Sequence, residues 1–104
     1  MKNENFGAIK GPGNYILFNA TTGLYKIGMV IKQSVGRNRR AIQHKAGTYL
    51  IIVYAQVANS VDDARELERN LHKHFAHRRP PDMGEWFALS PIDLSDCLEM
   101  MKGA

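Results

Sequence analysis

Glu68 has the residue type and setting that best suit metal-dependent chemistry in this sequence. It follows Leu67 in a segment with helical periodicity, so its carboxylate falls at the edge of an apolar stripe. A carboxylate there can face a cleft and bind a hard cation such as Mg²⁺ or Mn²⁺, with water completing the shell. The residues alone favour a simpler interpretation, a solvent-exposed Glu68 paired with Arg65 or His72, which would contribute only about 0.2–0.5 kcal/mol.

A basic segment upstream of Glu68 has residues suited to binding phosphate. Successive residues of a helix advance by about 100°, so Arg37, Arg40 and His44 share one stripe. The residues expected to pack inward from the opposite stripe are Val35, Ile42 and Ala46. The guanidinium of an arginine can hold a phosphate through two hydrogen bonds, and a histidine can move a proton near neutral pH. As an alternative, the arginines only contact DNA backbone or solvent.

The charge of +4 is distributed unevenly along the 104 residues. Residues 5–61 contain no Asp or Glu, but they contain seven basic residues: Lys10, Lys26, Lys32, Arg37, Arg39, Arg40 and Lys45. Residues 62–104 contain nine acids and six Lys or Arg. A basic segment without acids is a candidate surface for DNA, and the alternative is a solvated face that keeps the protein soluble.

Length and composition indicate one small cytosolic domain. A hydrophobic content of 44% and a charged content of 23% are those of an ordinary globular chain. The longest apolar run, residues 49–57, is far too short to cross a membrane, and the first residues have no apolar core for secretion. Cys97 is the only cysteine, so no internal disulfide forms. We expect a cytoplasmic protein.

Local patterns predict an α/β (α+β) fold with a small, mainly antiparallel three-stranded sheet flanked by helices. Residues 14–18 and 24–30 are predicted strands of a hairpin. The run at residues 49–58 is nearly continuous and apolar, which favours a central strand covered on both faces. Helices are expected from Ser34 to about Lys45, from Ser60 to about Phe75, and from Pro91 onward. The order is β-β-α-β-α-(β)-α, in which residues 85–89 form a short strand or packing segment.

Four pieces in order resemble the GIY-YIG nuclease superfamily. They are Gly13-Asn14-Tyr15-Ile16, Tyr25-Lys26-Ile27-Gly28, the basic helix, and the helix that contains Glu68. The closing Glu85-Trp86-Phe87 and the Lys-Ile-Gly motif are most similar to the branch common in phage proteins. The resemblance covers residues 13–90, so we expect a flexible leader over residues 1–12 and a single domain over residues 13–104. It implies hydrolysis of phosphodiesters with one metal ion, which favours Glu68 as the metal ligand.

The resemblance also implies roles for individual residues. Tyr15 matches the first tyrosine of the motif pair and is the better candidate for activating water, with a buried structural tyrosine as the alternative. Lys26 stands in place of the second tyrosine, and it could act as a base or bind phosphate as a fixed charge. Arg40 and His44 resemble the arginine and histidine of the family's first helix. Because the segment before Arg40 is longer than usual, Arg37 or Arg39 could be the equivalent arginine.

We therefore expect a metal-dependent DNA endonuclease with Mg²⁺ or Mn²⁺ as cofactor. Its expected catalytic residues are Tyr15, Lys26, Arg40, His44 and Glu68, and its expected DNA-phosphate contacts are Lys32, Arg37, Arg39 and Lys45. The alternative is a non-catalytic DNA-binding or protein-interaction module, which Lys26 favours. A homodimer or a partner protein would provide target specificity. His72 and His74 would diverge on a helix, which argues against zinc, and Cys97 is expected in the core.

Overall fold

The first two strands form an antiparallel hairpin in a computed structural model that describes residues 6–104. Strand β1 is Gly13–Asn19 and strand β2 is Leu24–Val30, as the strand patterns predict. The Asn19 side chain accepts backbone N–H bonds from Thr21 and Thr22, at 2.9 and 3.3 Å. These two bonds fix the turn between the strands, and with it the register that pairs Tyr15 with Gly28.

The sheet has four antiparallel strands in the order β3-β1-β2-β4. Strand β3 is Leu50–Val57, and β4 is Trp86–Phe87. The expected α+β class and antiparallel sheet are confirmed, with one more strand than the three expected. The expectation of a central β3 is wrong, because β3 lies at an edge and β1 occupies the centre. Its apolar run is only partly covered, since Ile51 is 39% and Val57 is 65% exposed.

Among residues 6–104, three helices flank the sheet; the first two begin at the predicted caps Ser34 and Ser60, and the third begins at Pro91 as predicted. Helix α1 is Val35–Ala46, α2 is Val61–His74 and α3 is Pro91–Lys102, with a short 3₁₀ turn at Ala76–Arg78. Their N-terminal caps are serine side chains that each accept a backbone N–H: Ser34, Ser60 and Ser90. Gly47 ends α1 with a φ of 72°, a left-handed conformation that glycine adopts without strain. No helix within residues 6–104 is long and apolar enough to cross a membrane.

The two faces of the sheet carry separate apolar cores. Helices α2 and α3 cover the first face, where the fully buried residues are Ile16, Ile27, Leu71, Phe75, Phe87, Cys97 and Met101. Helix α1 covers the second face, which contains Tyr15, Leu17, Val30, Val35, Leu50, Ile52 and Ala55. The core positions expected for Val35 and Cys97 are confirmed, whereas Ala46 is exposed. Alternation along β1 thus directs Tyr15 and Ile16 to opposite faces.

The expected leader over residues 1–12 lies partly outside the described residues, at positions 1–5. From residue 6 the chain is packed against the domain. Phe6 and Ile9 contact the core under α1. The Ile9 carbonyl accepts the Val35 backbone N–H at 2.8 Å, and the Gly11 N–H donates to Gln33 at 3.1 Å. These contacts attach residues 6–12 to the start of α1.

Candidate functional site

Gly28 leaves room for the Tyr15 side chain to lie over strand β2, with its hydroxyl directed towards the outer edge of that strand. The two residues are directly opposite each other in the β1–β2 ladder. A Cβ atom at position 28 would collide with the hydroxyl and the ring of Tyr15. Glycine is therefore required here for close approach rather than for backbone conformation. The register that the hairpin sets consequently determines where the tyrosine hydroxyl lies.

The Tyr15 hydroxyl lies at the end of a chain of two hydrogen bonds formed by amide side chains. Asn38 on α1 donates from Nδ2 to the hydroxyl at 2.8 Å, and its Oδ1 accepts from Gln33 Nε2 at 2.7 Å. Burial raises the pKa of Tyr15 far above its usual range, and the charges of Glu85 and Glu68 raise it further, against the opposing effect of Asn38. The phenol therefore keeps its proton at neutral pH and remains a hydrogen-bond donor.

Lys26 forms an ion pair with Glu85 at the outer edge of β2. The Lys26 Nζ lies 2.5 Å from Glu85 Oε1, and the lysine side chain is only 15% exposed. Pairing of Lys26 with Trp86 in the β2–β4 ladder brings Glu85, the preceding residue, to this position. The Nζ also lies 5.9 Å from the centroid of the Trp86 ring. Tyr25 points to the opposite face, where it packs against Phe18, so it does not replace Lys26.

Helix α2 reaches the same edge of β2, just past the end of β4. The β4 ladder stops at Lys26, and the next residue, Ile27, donates its N–H to the Glu85 carbonyl at 3.2 Å. The Ile27 carbonyl accepts a hydrogen bond from His72 Nε2 at 2.8 Å, so this nitrogen carries the proton. Glu68 lies one helical turn before His72. The His72 bond therefore fixes α2 where Glu68 is within electrostatic range of Lys26 and Glu85 at this edge.

Glu68 is half-buried and lies within electrostatic range of the other site residues. Burial raises the pKa of its carboxyl, and the charge of Glu85 raises it further, against His72, Lys26 and Arg65. Within residues 6–104, the partners suggested by the simpler interpretation form no ion pair with Glu68. Arg65 instead lies 3.8 Å from Asp62, and His72 is bound to the Ile27 carbonyl. The Glu68 carboxylate is thus available to a ligand.

The residues around Glu68 fit a hydrated hard cation. Two carboxylates, Glu68 and Glu85, are close enough for the charge of Glu85 to raise the pKa of Glu68, and a cation would relieve that repulsion. In the described part of the chain no three His, Cys, Asp or Glu side chains are grouped to hold a metal together. A single carboxylate with several waters is a common arrangement for Mg²⁺. Glu68 is therefore the residue that would hold such an ion.

The basic residues of α1 are not all on the side of the helix that faces Tyr15. Asn38 occupies that side, and Arg40 is two residues further, about 200° around the helix. Arg40 and His44 instead line a groove with Tyr49. The remaining expected phosphate contacts are Lys32, Arg37 and Lys45, which are exposed, and Arg39, which is partly buried. The structure thus brings Tyr15, Lys26 and Glu68 together and leaves Arg40 and His44 outside that group.

Three residues at the site were not assigned a role from the sequence: Glu85, Asn38 and His72. Glu85 was visible as the first residue of the Glu-Trp-Phe motif, but nothing local connects it with Lys26. Asn38 was visible on the same predicted helix as the arginines. Its contact with Tyr15 depends on how α1 is rotated against the sheet, which the stripe of Arg37, Arg40 and His44 does not specify.

Comparison with protein families matches residues 13–102 to the T5orf172 domain. The match extends from the first residue of β1 to the last residue of α3 and so includes every residue of the site. No curated protein and no solved structure is significantly similar to the chain.

Proposed function

The chain belongs to the T5orf172 domain family, and from this premise we propose that it is a metal-dependent endonuclease that hydrolyses phosphodiester bonds in DNA. The family is phage-associated and has a nuclease-like or DNA-binding character. The observation that carries the proposal is the convergence of Tyr15, Lys26 and Glu68 at the edge of β2 beside Gly28. Further support comes from the resemblance of these motifs to GIY-YIG nucleases.

Glu68 is the proposed metal ligand. A bound Mg²⁺ or Mn²⁺ would polarise the phosphate and lower the pKa of a bound water. Glu68 suits this role because it is an oxygen ligand, is half-buried, and forms no ion pair within residues 6–104. Burial and the charge of Glu85 raise its pKa because they make the ionised carboxylate costly, and a bound cation would offset that cost.

The other site residues orient the attacking water, neutralise the phosphate and accept the proton of the water. Tyr15 keeps its proton, so it orients the attacking water by hydrogen bonding rather than by removing a proton. Lys26 neutralises the charge that develops on the phosphate oxygens. As the water oxygen bonds to phosphorus and the bond to the leaving oxygen breaks, the water proton passes to the Glu85 carboxylate, which does not hold the metal and acts as the base. The leaving oxygen takes a proton from solvent water and departs as an alcohol.

Residues of α1 and its flanks provide the proposed contacts to flanking DNA. We place Arg40 and His44 here because Asn38 is the α1 residue that contacts Tyr15. The other members of this group are Lys32, Arg37, Arg39 and Lys45. They lie in a segment, residues 5–61, that has no acidic residue, which supports attraction to the DNA backbone.

The same geometry favours one second candidate, a non-catalytic DNA-binding or protein-interaction module. Its specific support is that Asn38, and not an arginine, contacts Tyr15, while Glu85 already neutralises Lys26. The site then has a net negative charge, because it contains the carboxylates of Glu68 and Glu85 and the single ammonium group of Lys26. A net negative charge repels a phosphate unless a metal ion is bound.

Nicking of supercoiled plasmid with Mg²⁺ or Mn²⁺ separates the two candidates. We expect the wild-type protein to convert plasmid to the open-circular form, and we expect EDTA or the Glu68→Gln substitution to abolish this. The matched control is Glu66→Gln, an exposed acid on the same helix, which should leave the rate unchanged. Cleavage by Glu68→Gln would disprove the site assignment. Salt-sensitive DNA binding without cleavage in either metal would establish the binding module instead.

A further inference from the structure

Tyr49 forms an exposed aromatic platform beside the basic end of α1. Its side chain is 66% exposed and precedes the edge strand β3. Around it lie the residues that we call the Tyr49 surface: Arg39, Arg40, Gln43, His44, Thr48 and Tyr49. We propose that this surface binds single-stranded DNA, with Tyr49 stacked on an unpaired base and Arg40 and His44 in contact with the backbone phosphates.

The backbone on both sides of Tyr49 is positioned by hydrogen bonds at the end of α1. Gly47 terminates the helix and donates its N–H to the Gln43 carbonyl at 2.9 Å. The Gln43 side-chain oxygen then accepts both the Leu50 N–H at 2.9 Å and Arg39 Nη1 at 2.7 Å. The bond from Leu50 joins the helix to the start of β3, and the bond from Arg39 holds the Gln43 side chain from within α1. Tyr49 is therefore held between two fixed residues rather than carried on a loose loop.

Arg39 supports one side of the Tyr49 ring. The guanidinium carbon lies 5.4 Å from the ring centroid, within the range of a cation–π contact. A single exposed tyrosine needs no explanation by itself. Here the residue is 66% exposed, lies between hydrogen-bonded backbone positions, and has Arg39 beside its ring. A base can stack on such a ring because every base has an aromatic face, and each stacked base contributes about 1–3 kcal/mol.

Arg39 and Arg40 place positive charge beside the ring, and neither forms an ion pair with an acid in the described part of the chain. Arg40 and His44 lie one turn apart, are exposed, and line a groove that extends to Thr48 and Tyr49. No ion pair in residues 6–104 includes a residue of α1, because the ion pairs found there are those of Lys26, Arg65 and Arg78. Arg40 and Tyr49 also line an adjoining groove that continues to Ser34 at the start of α1. A single strand of DNA can lie along these two grooves, with its phosphates in contact with Arg40 and His44.

The aromatic contact selects single-stranded DNA over a duplex. In a duplex the base faces are covered by stacking, so only the phosphates are accessible to Arg40 and His44. In a single strand both the phosphates and a base face are accessible. The inference builds on the proposed action on DNA, but it concerns binding on a different side of α1 from Asn38, and it requires no cleavage.

Fluorescence anisotropy with a labelled oligothymidylate and a blunt duplex of equal length tests the proposal in EDTA, where cleavage is prevented. We expect Tyr49→Ala to weaken single-strand binding about tenfold and duplex binding less than about twofold. Tyr49→Phe should retain single-strand binding. Arg40→Gln should weaken both forms and reduce the salt dependence. Ile92→Ala, at an exposed position on α3, is the matched control and should change neither.

Two outcomes would overturn the proposal. One is wild-type affinity of Tyr49→Ala for the single strand, and the other is an equal loss for strand and duplex. Thermal unfolding by circular dichroism checks that each variant is folded. If Tyr49→Ala unfolds, Arg40→Gln keeps the proposal testable, because unchanged affinity of that variant for the single strand would also overturn it. The plasmid-nicking assay of Glu68→Gln tests the proposed function separately from this proposal. Single-strand binding that Tyr49→Ala weakens selectively, in a protein whose wild type does not cleave plasmid, would disprove the endonuclease and support the Tyr49 surface.

Discussion

The Tyr15 hydroxyl lies over Gly28 at a point where any side-chain carbon would collide with it. This contact determines how far the tyrosine reaches across the sheet. It also makes the arrangement of the site depend on the register of the hairpin. Tyr15 and Lys26 belong to the paired strands β1 and β2, and Glu68 reaches the same edge from α2.

Substitution of Gly28 by alanine should disturb both stability and activity. The new methyl group would overlap the Tyr15 hydroxyl and ring, and such overpacking costs about 1–3 kcal/mol. Urea unfolding should show this loss, and Tyr15→Phe in the same chain should recover part of it, because the hydroxyl would be gone. Gly7→Ala is the control, since a Cβ there would lie 3.6 Å from the Gly36 Cα, at ordinary contact distance. Equal stability of Gly28→Ala and wild type would refute the close approach.

Replacement of Glu68 by glutamine should stabilise the metal-free protein at neutral pH. Burial and the charge of Glu85 raise the pKa of Glu68, so the folded protein keeps this proton to a higher pH than the unfolded chain does. The ionised form therefore costs stability once the pH rises above the ordinary glutamate value, and the full cost applies above the folded-state pKa. Because the carboxylate is only half-buried, solvent screening limits the gain to under about 1 kcal/mol.

Urea unfolding in EDTA at neutral pH and at a pH below the ordinary glutamate value measures this effect. The advantage of Glu68→Gln should be present at neutral pH and absent at the acidic pH. Added Mg²⁺ should raise the melting temperature of the wild type and leave that of Glu68→Gln unchanged. A pH-independent difference between the two proteins would contradict the assigned electrostatic cause.

The pair of Lys26 and Glu85 should show measurable coupling. Lys26→Met and Glu85→Gln each remove one charge, and a double-mutant cycle should give a coupling free energy of about 1 kcal/mol. The pair lies at a partly exposed edge, which keeps this value small. Plasmid nicking should fall more than tenfold for either variant if both residues act on the phosphate and the proton. Additive stability changes would show that the ion pair contributes nothing.

The Cys97 thiol should be unreactive in the folded protein. It is fully buried in the core under α2 and α3, and burial raises its pKa to about 12. The reactive thiolate is therefore scarce at neutral pH, and the reagent has no access to it. Ellman's reagent should titrate one thiol in urea and react at least a hundredfold more slowly in buffer. Rapid reaction in buffer would indicate that α3 opens from the sheet.

The sequence by itself determined the local structure of this protein. Serine caps at Ser34 and Ser60 and the strand patterns of residues 14–18 and 24–30 are short-range signals, and each produced the expected element. The motifs also selected Tyr15, Lys26 and Glu68 as candidates, and these three converge. Short-range signals succeed here because a cap or a strand pattern involves residues that are neighbours in the chain.

Only the tertiary structure decided which strand is central and which residues meet. The apolar run of β3 was interpreted as a central strand, but an edge strand can be equally apolar when a helix covers one of its faces. Lys26 and Glu85 are 59 positions apart, and Tyr15 and Asn38 are 23 apart. Such contacts depend on the pairing of β4 and on the rotation of α1 against the sheet. No periodicity within a single segment encodes either of these, because both are set by how the segments pack together.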